Sequence, residues 1–140
     1  MFTFKVFYMN VFFKTIVNGV KNAIMNPKKS KMLMDATIMW QKAKEEAEEL
    51  RQRDGHRYFV IYDAAQKKLI CITYDIYRDR GDSYQYLRQR GRFKRPLRRE
   101  ELKELCFYYT TSKWTSHSCG EQDQQEKLVE WQRYYLKLNA

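Results

Sequence analysis

The stretch Arg57–Asp75, RYFVIYDAAQKKLICITYD, decides the fold that the sequence predicts. Two runs rich in β-branched and aromatic residues, at 57–63 and 67–75, flank a short polar link. Such runs favour β-strands, and a link of this length between them favours a β-hairpin. Each run is apolar on both faces, so we expect other elements of the protein to cover both sides of the hairpin.

A long helix is predicted immediately before this hairpin. Asn26-Pro27 supplies a capping residue and a proline suited to the first helical position, and Asp54-Gly55 ends the helix, because glycine readily adopts the left-handed conformation found there. A narrow apolar stripe repeats in steps of four and three residues and predicts the buried face, while glutamates occupy the remaining faces. The stripe consists of Ala36, Trp40, Ala43, Ala47 and Leu50.

The N-terminal segment, residues 1–25, has two interpretations. The alternation in FTFKVFYM favours a strand over 2–9, followed by a helix over 11–25. The same segment also shows a three-four helical spacing with a polar opposite face, which is typical of a helix packed on its own domain or lying on a membrane surface. Polar residues interrupt it too often for a membrane span or a secretory signal. We therefore expect a strand at 2–9, and 1–25 is a candidate extended or partner-docking segment.

After the hairpin, residues 76–96 are predicted to form a loop with one short helical turn at 84–90. A helix is expected from Pro96, since acidic residues at its start suit the positive helix N-terminus. Its apolar face consists of Leu102, Leu105, Cys106 and Tyr109.

A last helix is predicted to start at a capping box formed by Ser118 and Glu121, with Leu128, Trp131, Tyr135 and Leu138 on its apolar face. The order β-α-α-β-β-α-α predicts one α+β domain over residues 1–140. In this fold a small antiparallel sheet, the N-terminal strand plus the central hairpin, packs with about four helices.

Positive charge is concentrated in one part of the chain. The formal net charge is +10, and residues 78–99 carry eight arginines and one lysine against two aspartates. Arginine binds phosphate with two donors at once, and interleaved aromatic rings stack on bases. The predicted nucleic-acid contacts are Arg78, Arg80, Arg88, Arg90, Arg92, Lys94, Arg95, Arg98 and Arg99, with Tyr84, Tyr86 and Phe93 as stacking candidates.

These residues suit contact with the phosphate backbone without sequence preference. Two alternatives stay open. The segment could instead contact acidic side chains of a partner protein, or it could be a solvated loop whose arginines pair with the glutamates at 45–49.

No catalytic or metal-binding motif is recognised in the sequence, and no cofactor is predicted. The three cysteines have no paired spacing, which indicates reduced thiols rather than a disulfide framework. His117 and Cys119, with Cys106, lack the paired ligands of a zinc site. VIY at 60–62, ICI at 70–72 and Arg78 resemble the layout of GIY-YIG endonucleases, although the second motif lacks its tyrosine and its glycine. An unrecognised nuclease would need Glu100 or Glu104 as a metal ligand.

Residues 36–91 combine an alanine-striped helix, a D-G-H-R-Y turn at 54–58, a V-I-Y-D strand and a returning L-I-C-I strand. This combination resembles small uncharacterised proteins of gut-bacterial mobile elements and crAss-like bacteriophages. Asp54 stands where those proteins usually have threonine, and His56 where they have lysine.

The resemblance implies a non-enzymatic protein of phage type, either a structural component of the virion or an accessory protein, located in the bacterial host cytoplasm or in the virion. Neighbouring protein subunits are then expected as partners beside nucleic acid. A protein–protein adaptor within a larger assembly is the alternative.

Overall fold

The computed structural model describes residues 27–79, 95–111 and 119–140. These ranges contain an antiparallel sheet in the strand order β2-β1-β3, packed with helices, so the predicted α+β class is confirmed. The predicted elements at 2–9, 11–25 and 84–90 lie outside the described residues. The described elements are α1 (Pro27–Asp54), β1 (Phe59–Asp63), β2 (Lys68–Ile72), α2 (Tyr74–Asp79), α3 (Arg99–Leu105), β3 (Tyr108–Tyr109) and α4 (Glu121–Leu138).

The predicted hairpin is formed by β1 and β2. Its register runs from Phe59 opposite Ile72 to Asp63 opposite Lys68. Asp63 stabilises the turn, because its Oδ1 accepts a hydrogen bond from the Ala65 N–H at 2.9 Å. The first four residues of β1 are all buried, so both faces of this central strand are covered, as the apolar run predicted.

The alanine stripe of α1 is the buried face of that helix. Ala36, Trp40, Ala43 and Ala47 are buried, and Leu50 packs against the core at its edge. The small alanines let neighbouring elements approach closely, and the helix ends where predicted, at Gly55 with φ 78°.

Two tryptophans join α1 to the rest of the core. Trp40 Nε1 donates to the carbonyl of Phe107 at 2.7 Å, and Trp131 Nε1 donates to the carbonyl of Ala36 at 2.9 Å. A buried indole N–H needs such a partner, because burial removes its hydrogen bond to water and nothing else would replace it.

The third described strand was not predicted, and the placement of Tyr109 on a helix face is wrong. The α3 helix ends at Leu105, and Tyr108–Tyr109 pair with β1 instead. The Phe107 N–H donates to the carbonyl of Val60 at 2.8 Å, and the Thr110 N–H donates to the carbonyl of Tyr58 at 2.9 Å. The backbone of residues 107–110 therefore forms its hydrogen bonds with the open edge of β1. If α3 were longer, the same N–H groups would be used inside the helix instead.

A second difference follows the hairpin, where the predicted strand over 67–75 ends at Ile72 and α2 begins. Thr73 acts as the helix cap. Its Oγ1 accepts a hydrogen bond from the Ile76 N–H at 3.3 Å, and its carbonyl accepts one from the Tyr77 N–H at 3.1 Å. Threonine at such a position satisfies donors that the first helical turn leaves open.

The last helix, α4, begins at Glu121, with Gly120 as its capping residue. Glu121 is thus the first helical residue, rather than the third that a capping box with Ser118 requires, and Ser118 itself lies outside the described residues. Along the predicted face, Leu128 and Trp131 are buried, whereas Leu138 is 44% exposed. None of the helices in the described ranges has the length and apolar character needed to cross a membrane.

Candidate nucleic-acid interface

Four of the nine predicted basic contacts fall within the described residues. Arg78 lies near the end of α2, and Arg95, Arg98 and Arg99 lead into α3; all four are exposed. The remaining predicted contacts and the stacking candidates lie outside the described residues. They are Arg80, Arg88, Arg90, Arg92, Lys94, Tyr84, Tyr86 and Phe93.

Two tyrosines of α2 hold the chain before residue 80 against the chain after residue 94. The buried Tyr77 accepts a hydrogen bond at its hydroxyl from the Leu97 N–H at 3.0 Å. Tyr74 donates from its hydroxyl to the carbonyl of the same leucine at 3.1 Å. Both backbone groups of Leu97 are thus paired, and its side chain is buried. The two described ends of the arginine-rich region therefore lie side by side on the surface.

Arg95 is the one described member of this set that forms an ion pair with a carboxylate. Its Nη1 and Nη2 contact the two oxygens of Glu101 at 2.7 and 3.0 Å, which is the two-point geometry that arginine makes with carboxylates. Glu101 Oε1 also accepts the Arg98 backbone N–H at 2.8 Å. These hydrogen bonds, that from Arg95 foremost, hold the pKa of Glu101 below its usual range.

The other three described arginines present their side chains to solvent. The guanidinium carbon of Arg99 lies 5.1 Å from the centroid of the Tyr74 ring, so the tyrosine supports it as a cation–π partner without neutralising it. Arg78 and Arg98 make no ion pair within the described residues. Among the residues that the structure describes, three of these four arginines are thus exposed without a carboxylate partner, and the fourth, Arg95, is paired with Glu101.

Glutamates of the 45–49 cluster contact other groups. Glu48 pairs with Arg51 at 3.3 Å and accepts the Tyr108 hydroxyl at 2.6 Å. Glu49 pairs with Arg53 at 3.3 Å. These partners belong to α1 itself and to β3. Two of the four glutamates in this cluster, Glu48 and Glu49, are therefore engaged by neighbours in α1 and β3.

Glu100 and Glu104, one or other of which a nuclease would need as a metal ligand, line a cleft of about 240 Å³ between α3 and α4. Within the described residues, however, no three carboxylates, cysteines or histidines are grouped closely enough to hold a metal ion. The cleft is also lined by Lys103, Tyr109, Asp123, Glu126, Lys127 and Glu130. Its carboxylates therefore form an acidic surface without a metal-binding arrangement.

The cysteines are poor candidates for a nucleophile. Burial raises the pKa of Cys71 and of Cys106 to about 12, and burial also raises the pKa of Cys119. A reactive cysteine needs the opposite shift, because the thiolate is the attacking species. His117, the neighbour that could activate Cys119, lies outside the described residues.

Sequence reasoning missed the residues that hold the two described ends of the arginine-rich region together. Tyr74, Tyr77 and Leu97 contribute through contacts across the chain, and no local pattern marks them. The cation–π pair of Arg99 depends on the same packing.

Comparison of the chain with models of protein families, with curated proteins and with solved structures finds no match.

Proposed function

We propose that this protein binds nucleic acid through the arginine-rich region 78–99 and acts as a structural or accessory protein rather than as an enzyme. The observation that carries the proposal is the paired Leu97 with its surrounding arginines. The ends of the region are fixed to each other, and Arg78, Arg98 and Arg99 are exposed beside them.

The charge of the region suits an extended anion. A protein with a net charge of +10 repels itself, and a polyanionic partner relieves that repulsion. Arginine side chains on a surface bind phosphate groups whatever the base sequence, so they position the partner without reading it. The resemblance of residues 36–91 to phage and mobile-element proteins favours a role in a virion or in its assembly.

The salt dependence of binding tests the proposal. If about six cations meet phosphates of a duplex, the logarithm of the association constant falls with the logarithm of salt at a slope near −5. The test variant replaces Arg88, Arg90 and Arg92 by glutamine, and its slope should become shallower by about 3. Fluorescence anisotropy measures the slope for the wild type and for the test variant, each with a labelled duplex and with a labelled single strand.

The matched control removes the same amount of charge elsewhere. Lys42→Gln, Lys67→Asn and Lys68→Gln change three exposed lysines, and asparagine is chosen at Lys67 because its φ of 55° is left-handed. The control should keep the wild-type slope. Equal slopes for the test variant and the wild type, or equal losses in test and control, would overturn the assignment of the site.

A protein–protein adaptor is the second candidate, and one observation favours it. Ile76 is 40% exposed on α2, two residues before Arg78. Arginine beside exposed apolar side chains is typical of protein interfaces. In that case Ile76→Ser weakens capture of a crosslinked protein neighbour, and the purified protein shifts neither DNA nor RNA at low salt.

A further inference from the structure

A second charged surface lies at one end of the pair formed by α1 and α4. Gln132 Nε2 donates to Thr37 Oγ1 at 2.9 Å, and Lys44 Nζ donates to Gln124 Oε1 at 2.7 Å. Higher residue numbers on α4 therefore meet lower numbers on α1, so the helices are antiparallel. The first turns of α1 and the last turns of α4 share one end of the pair.

This end carries cations almost without anions. Across 27–35 and 133–140 the charged side chains are five cations and a single carboxylate, that of Asp35, a net charge of +4. All five cations are exposed. They are Lys28, Lys29 and Lys31 on α1 and Arg133 and Lys137 on α4.

The same end exposes large apolar side chains. Met34 is 46% exposed and Leu138 is 44% exposed. Single exposed apolar residues are ordinary, but here two share one end with the lysines. From a rise of about 1.5 Å per residue and the pairing of Thr37 with Gln132, they lie within about two helical turns of each other along the axes. We call Met34, Leu138 and the five cations the basic end.

We propose that the basic end docks on the surface of an anionic lipid bilayer, without crossing it. Lysines and arginine meet negatively charged headgroups there, while Met34 and Leu138 enter the boundary between headgroups and acyl chains. The phosphates of nucleic acid would bind the lysines, but they provide no apolar region in which Met34 and Leu138 could be buried. A second copy of the same end is repelled by its net charge of +4.

The sequence that leads into the basic end has the same character. Residues 1–34 contain six lysines and no aspartate or glutamate, and they are rich in phenylalanine, valine and methionine. Each lysine near an anionic surface strengthens partitioning by about fivefold. The chain therefore reaches this end of the helix pair with a composition that an anionic bilayer favours.

Vesicle binding tests the proposal with nuclease-treated full-length protein. We expect flotation with vesicles of phosphatidylcholine and phosphatidylglycerol and none with phosphatidylcholine alone. Replacing Lys28, Lys31 and Lys137 by glutamine should lower partitioning on the order of 100-fold. The control that changes Lys42, Lys67 and Lys68 should partition like the wild type, and circular dichroism checks that each variant is folded.

A second variant separates lipid from the other partners. Met34→Gln with Leu138→Gln should weaken vesicle binding several-fold while duplex DNA binding stays unchanged, because only a bilayer uses the apolar side chains. The proposal is overturned if the wild type ignores anionic vesicles or if the lysine variant floats as well as the control. It is also overturned if the apolar variant loses DNA binding instead, or if it abolishes self-association measured without vesicles.

Discussion

Lys127 is the residue whose replacement tests the described packing most directly. Its side chain is 5% exposed, and its Nζ donates to three backbone carbonyls, those of Lys103 and Cys106 at 2.9 Å and of Glu104 at 3.1 Å. These carbonyls lie at the end of α3, where a helix leaves its last acceptors without partners. Lys127→Met keeps the length of the side chain and removes the donors.

The loss of folding stability caused by Lys127→Met depends on how well water can replace the ammonium group as a hydrogen-bond donor. The bond to the Cys106 carbonyl is buried, so that oxygen loses its partner outright, at about 1–3 kcal/mol. The other two bonds are partly buried beside the cleft, where water recovers part of the loss. The variant also no longer buries a charged group, and this offsets part of the destabilisation. We expect a net destabilisation of about 3 kcal/mol, which corresponds to a fall in Tm of about 10 °C for a protein of this size.

Urea unfolding followed by tryptophan fluorescence measures the effect, because Trp40 and Trp131 are both buried. Lys103→Met is the matched control. Its Nζ lies 5.0 Å from the Tyr109 ring, and the side chain is only half-buried, so its loss should cost about 0.5–1 kcal/mol. Equal stabilities for the two variants would refute the conclusion that Lys127 caps α3.

Three further predictions concern titratable groups. Glu101→Gln frees Arg95 and should tighten DNA binding at low salt by a few-fold, whereas Glu104→Gln, the same charge change on the same helix, should tighten it less. Because the folded pKa of Glu101 is lowered, its stabilising contribution is fully present above the unfolded pKa of about 4.3 and is lost as pH falls through the folded pKa. The stability difference between wild type and Glu101→Gln should therefore begin to shrink below the unfolded pKa and disappear once pH has fallen past the lower folded pKa. With pKa values of about 12, Cys71 and Cys106 should react slowly with Ellman's reagent at pH 8 in the native protein and rapidly in denaturant; fast native reaction would contradict these raised pKa values.

From the sequence, only the composition of the candidate site was predicted, and the contacts between its residues were not. The concentration of arginine in 78–99 is visible without coordinates, and so is its suitability for phosphate. The neutralisation of Arg95 by Glu101 was not predicted, because the two residues are six apart and Arg95 precedes the helix that holds Glu101. Tyr77 and Leu97 are twenty apart, and their hydrogen bond depends on how α2 packs.

The sequence by itself determined the hairpin, the long α1 helix and its alanine face, because periodicity and end residues act over short stretches of chain. Tertiary structure decided where the α3 helix stops and which residues complete the sheet. The predicted helix face extended to Tyr109, although aromatic residues such as Phe107, Tyr108 and Tyr109 also favour strands. The unpaired edge of β1 and the ammonium group of Lys127 select the strand, and both come from parts of the chain that are distant in sequence.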